Sequence, residues 1–138
     1  MLALNGQEYN MIYQDVTFNT KDSLVVGDGV QTDSVVPTAS TAYKRGDLVA
    51  IDPATNVASH PADASTFNAI IVEDVTAEQA DAAIAAGFEI PVYTQGEFNV
   101  EQTAINGAKL DEAAQKVARG RANTATSIEL RKPFSTGA

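Results

Sequence analysis

Glu89-Ile90-Pro91-Val92-Tyr93-Thr94-Gln95-Gly96-Glu97-Phe98-Asn99-Val100 is the stretch on which the fold of this 138-residue chain turns. Ile90, Val92 and Thr94 alternate with Glu89, Pro91 and Tyr93, and Phe98 and Val100 alternate with Glu97 and Asn99. A period of two marks half-buried strands. Gln95-Gly96 divides the run, and glycine adopts the positive backbone angle of a tight turn without steric cost. The expectation is therefore a hairpin of two short strands meeting at Gln95-Gly96. Pro91 offers no amide hydrogen, which puts its strand at a sheet edge or turns Pro91 away from the ladder.

Upstream of it, Phe67-Asn68-Ala69-Ile70-Ile71-Val72 is mostly apolar on both faces and predicts a central strand ended by Glu73-Asp74. Thr76-Ala77-Glu78-Gln79 matches a capping box, Ala77 to Ala86 is nearly all good helix former, and Gly87 fits a C-terminal stop. Tyr43 to Ile51 predicts a turn leading into a buried strand, Asp52-Pro53-Ala54-Thr55-Asn56 a reversal, and Val57 to Ser59 an antiparallel return. Residues 21–46 are rich in turn formers. Gly27-Asp28-Gly29 lacks the lysine, spacing and following helix of a phosphate loop and is expected to be a hairpin turn. Downstream, Asn106-Gly107 predicts a turn and Lys109 to Arg119 a second helix stopped by Gly120. Its expected inner face is Leu110, Ala113, Ala114 and Val117, with Asp111 and Glu112 early and Lys116 and Arg119 late, matching the helix dipole. Thr124 to Leu130 predicts the closing strand.

The length suits one domain. There is no cysteine, so disulfides, thiol catalysis and thiolate metal sites are excluded. No apolar run approaches the roughly 20 residues of a membrane span, and Asn5-Gly6-Gln7-Glu8 breaks any signal-like start, so cytosolic manufacture is expected. Net charge is −9, unevenly spread: residues 1–105 hold 15 acidic and 3 basic side chains, residues 106–138 hold 3 and 6. An acidic body repels phosphate backbones and argues against nucleic-acid binding. The imbalance has two readings: solubility alone, or attraction between opposite ends of neighbouring copies.

Residues 1–20 divide from the β-rich body at 21–138 as an N-terminal arm or strand. In Met11 to Phe18 one face carries Ile12, Val16 and Phe18 with Gln14 interrupting, the other Met11, Tyr13, Asp15 and Thr17. This segment is either an ordinary first core strand or a strand that adds to another molecule's sheet. Reactive residue types occur singly. His60, the one histidine, has no catalytic companions nearby and is expected in a surface loop. Glu73, Asp74, Glu78 and Asp81 lack a calcium-loop pattern and are expected on a solvated face. A hydrolase would need Asp47, Asp52 and Glu97 brought together; a carbohydrate- or surface-binding β module displayed on a virion would need an aromatic platform from Tyr43, Tyr93 and Phe134. The residues alone give a mainly β (α+β) domain, a small β-rich sandwich or barrel-like unit with one or two short helices. They point to no enzyme, metal site or cofactor.

Four stretches go further when taken in order: Gly46-Asp47-Leu48-Val49-Ala50-Ile51, Ala69 to Val75, Val92-Tyr93-Thr94-Gln95-Gly96-Glu97-Phe98-Asn99, and, after a helix, Ser127-Ile128-Glu129-Leu130. Across residues 43–131 this series resembles the lambda-type bacteriophage head-decoration proteins, in which an aliphatic-Val-Tyr-x-x-Gly-x-Phe strand is followed by a charged helix and an Ile-rich strand. The resemblance implies a homotrimeric virion protein, made in the host cytoplasm, that sits on the exterior of the expanded head. There it clamps neighbouring major capsid protein subunits, with no nucleic-acid or membrane partner. It also implies that the N-terminal segment completes a sheet with capsid-protein loops, a capsid-binding role that falls here on Tyr9, Ile12, Tyr13, Val16 and Phe18. This chain departs from the pattern in the insertion from Thr76 to Gly87 and in a more apolar N-terminal region.

Overall fold

In the computed structural model, which describes residues 23–132, the stretch around Gly96 is one strand. In chain order the elements are β1 (Gln31–Pro37), β2 (Leu48–Ile51), β3 (Val57–Ser59), β4 (Ala69–Ile71), α1 (Ala77–Ala86) and β5 (Ile90–Asn99). A 3-10 turn (Val100–Gln102), β6 (Ala104–Ile105), β7 (Ala108–Lys109), α2 (Glu112–Ala125) and β8 (Ser127–Arg131) follow. The described chain is mainly β, with a mixed sheet and two helices.

The expected hairpin at Gln95-Gly96 does not form, because partners lie along the whole of β5. Its first half pairs antiparallel with β1 and with β4, and its second half pairs parallel with β8. Gly96 does take a positive φ, +135°, but spends it on a kink that admits Val30, not on a reversal. β5 is thus central, and Pro91 is tolerated because the ladder to β4 stops at Val92.

The pairings close on themselves. β1 meets β5, β5 meets β4, β4 meets β2, β2 meets β3, and β3 returns parallel to β1 through Val36 and Pro37. β8 extends this ring along the far half of β5. Gly27-Asp28-Gly29 is not a hairpin turn: Val25 and Gln31 both pair antiparallel with β5, so the glycines form an irregular link within one line of chain. The Asp52–Asn56 reversal and the Asn106-Gly107 turn form where expected, the latter joining β6 to β7 with φ of 51° and 82°.

Alternation along the strands sorts the apolar side chains into two cores. Val35, Tyr43, Val49, Ala58, Ala69, Ile71, Ile90 and Val92 fill one, with Ala80 of α1 among them. Leu24, Leu48, Phe67, Ile70, Tyr93, Phe98, Ile128 and Leu130 form the other, with Ala118 and Ala122 of α2. β4 is buried on both faces, as its sequence predicts.

α1 has the predicted capping box, Thr76 accepting from the Gln79 amide and Gln79 from the Thr76 amide, and Gly87 ends it at φ 76°. α2 differs from expectation at both ends and in its face. Asp111 is the N-cap, accepting from the Ala114 amide at 2.8 Å, so the helix starts later and runs through Gly120 to Ala125. Ala118 and Ala122 are buried, while Val117 faces outward.

Candidate functional site

The residues to which the resemblance assigns capsid binding, Tyr9, Ile12, Tyr13, Val16 and Phe18, lie outside the described residues. The structure fixes where their segment joins the fold. The Val26 amide donates to the Glu97 carbonyl at 3.0 Å and the Asn99 amide to the Leu24 carbonyl at 2.8 Å, so Leu24 to Val26 form a short antiparallel strand on β5. Leu24 is buried in the α2-side core, and the Asn99 side-chain amide donates to the Ser23 hydroxyl at 3.3 Å. On the opposite edge of β5, Asn99 is paired with Arg131. Ser23 therefore lies at the same end of β5 as the close of β8.

Beside this junction lies a shallow hollow of about 210 Å³ lined by Asp28, Gly29, Gln95, Glu97, Ser127 and Glu129. Arg131 spans two of its carboxylates, at 3.1 Å from Glu97 and 3.5 Å from Glu129. These are solvent-exposed ion pairs and contribute little stability.

The scattered carboxylates are not assembled into a catalytic group. Asp47 is buried and accepts from the backbone amides of Lys44 at 2.9 Å and Gly107 at 3.0 Å, tying the start of β2 to the β6–β7 ribbon. Asp52 accepts from the Ala54 amide within its own turn. Glu97 faces Arg131. Asp74 accepts from the Arg45 amide, and Asp81 accepts from the Ser40 amide and hydroxyl, fastening the loop after β1 to α1. Among the described residues no three His, Asp or Glu side chains are arranged to hold a metal ion. No helix there is long and apolar enough to cross a membrane.

The aromatic platform of the carbohydrate reading does not form from its two described members. Tyr43 is buried, its hydroxyl donating to the Ala58 carbonyl and accepting from the Thr38 amide, each at 2.8 Å. Tyr93 is buried against Phe98, and its hydroxyl accepts from Arg45 at 2.9 Å. Phe134 lies outside the described residues. His60 lies in a loop, as expected, and is half-buried: its ring packs 5.0 Å from that of Tyr43, with Nε2 2.8 Å from the Ala42 carbonyl oxygen.

Four large apolar side chains also stand open among the described residues, Val26 being one at 43%. Phe88 is 69% exposed, Val117 47% and Ile84 40%. Sequence reasoning missed Phe88, although an aromatic immediately after a helix-stopping glycine, outside any alternating run, is the signal that marks it. It assigned Val117 to the core by grouping it with Leu110, which precedes α2, whereas the buried face is that of Ala118 and Ala122.

In comparisons with known proteins, the chain matches no family model and no curated protein sequence.

Proposed function

We propose that this chain is a capsid cement protein: a non-enzymatic virion subunit that binds the outside of an expanded phage head as a homotrimer and clamps neighbouring major capsid protein subunits. The observation that carries the reading is the placement of the four stretches behind the resemblance. They lie on β2, β4, β5 and β8, which are consecutive neighbours in one sheet, so the ordered series is a single structural unit. The N-terminal segment supplies the clamp. It continues from Ser23 out of a strand held on β5, and Met11 to Phe18 has the alternation of a strand able to join another sheet. Three such segments on one trimer act at high effective concentration, so a contact that is weak singly becomes durable.

Mixing the purified protein with expanded, undecorated heads tests this. Saturable binding that raises the heads' resistance to heat or chelation is expected. Absence of saturable binding would sink the proposal.

A further inference from the structure

Asn106 and Gly107 make the turn between β6 and β7, with φ of 51° and 82°, and both are exposed. Positive φ at both central positions is the primed turn that Asn-Gly favours. The same pair is chemically vulnerable. Glycine has no side chain to shield its backbone nitrogen, which on losing its proton can attack the preceding side-chain amide. The N–Cγ bond forms, the Cγ–Nδ2 bond breaks, and ammonia leaves carrying the displaced proton. Water then opens the resulting succinimide at either carbonyl, giving aspartate or isoaspartate. Both products add a negative charge, and isoaspartate also adds a methylene to the backbone of the turn.

In this fold the attacking atom is already engaged. The Gly107 amide donates to Asp47 Oδ1 at 3.0 Å. Asp47 is 1% exposed, and its other polar groups are fixed as well. Oδ2 accepts from the Lys44 amide, the Asp47 amide donates to the Lys44 carbonyl, and the Asp47 carbonyl accepts from the Ile71 amide, each at 2.9 Å. Attack on Asn106 would require the Gly107 nitrogen to leave this carboxylate, or to lose its proton beside a negative charge that opposes a second one. The ribbon itself is a slight restraint, since β6 and β7 pair through two residues each and Ala108 and Lys109 are exposed.

We propose that Asn106-Gly107 is a latent deamidation site, kept closed in the folded subunit by the Asp47 carboxylate that holds the Gly107 amide hydrogen. Asp47 is thus a protecting residue as well as a tie between β2 and the ribbon. Conversion of Asn106 is coupled to opening of the β6–β7 corner, so its rate reports how often that corner leaves Asp47. The protection is a property of the single subunit and holds whatever that subunit binds.

The test is incubation of the full chain at mildly alkaline pH, with conversion at Asn106 followed by peptide mapping and mass spectrometry. Mapping separates this position from Asn5-Gly6, the other Asn-Gly pair of the chain. Wild-type protein is compared in its native state and unfolded in urea, beside Asp47→Asn and Asp47→Ala chains whose folding is verified by circular dichroism. Native wild type should convert roughly tenfold or more slowly than the unfolded chain, and folded Asp47 variants roughly tenfold faster than native wild type, the scale of one charge-assisted hydrogen bond. Equal rates in the native and unfolded wild type would overturn the proposal, as would a folded Asp47 variant as durable as the wild type. Should neither variant fold, hydrogen exchange of the Gly107 amide in the native wild type decides. Slow exchange is expected at this exposed turn position, and exchange as fast as that of an unstructured amide would overturn the protection.

Discussion

Gly96 shows how much one position in β5 carries. Its φ of +135° is open to glycine and costly for other residues, and an added Cβ would lie 3.0 Å from Val30 Cγ2 and 3.2 Å from Phe98 Cζ. Gly96→Ala is expected to cost about 1–3 kcal/mol in unfolding free energy, read as a lower urea midpoint. Gly46 is bound as tightly by different means, since a Cβ there would sit 2.5 Å from the backbone carbonyl of Gln102. The need for a special conformation at Gly96 is legible in the sequence. What that conformation serves is not, because the atoms that crowd it belong to Val30, which chain order gives no reason to bring near. Asp47 is the same lesson reversed. Its carboxylate is indistinguishable in sequence from a reactive one, and only the fold reveals two backbone amides occupying it.

Among the elements, α1 was readable to the residue because its start and stop are local: Thr76 and Gln79 cap each other and Gly87 closes the last turn. The start of α2 was not, since Ala108 and Lys109 are taken by the β6–β7 ribbon and Asp111 then claims the first free amide. Leu110 is therefore outside the helix, and the face that packs inward centres on Ala118 and Ala122, leaving exposed the Val117 that periodicity alone assigns to the core. Gly120, expected to stop the helix, lies within it. Gly120→Ala should therefore stabilise the isolated subunit by about 0.5–1 kcal/mol, measured by thermal unfolding at concentrations where association is absent. A loss of stability would mean that α2 does not continue through this position.

At the level of the whole molecule, β4 and β5 announce themselves in sequence but the closure of the ring does not. It depends on Val36 and Pro37 meeting Val57 and Ala58, a parallel contact between a turn-rich segment and the return of a hairpin. Mainly β with two helices was legible; the order of strands was set by long-range register. In residues 1–20 the sequence shows only a strand-competent run. Both apolar cores of the described fold are built from residues between Leu24 and Leu130. On the clamp reading, removal of residues 1–20 is expected to leave a cooperative unfolding transition near that of the intact chain while abolishing attachment to heads. Collapse of that transition would show that those residues belong to the core and would end the clamp reading.

Ser23 and Arg131 flank the same residue, Asn99. The first and last described stretches thus lie on either side of one strand, so the native ends can be joined with residues 1–22 and 133–138 kept. The chain can then be re-threaded to open at the exposed Asp52–Asn56 reversal with each ladder retained. Such a circular permutant would move both free ends to the opposite part of the sequence order. Cargo attached there would start its path away from the segment proposed to dock.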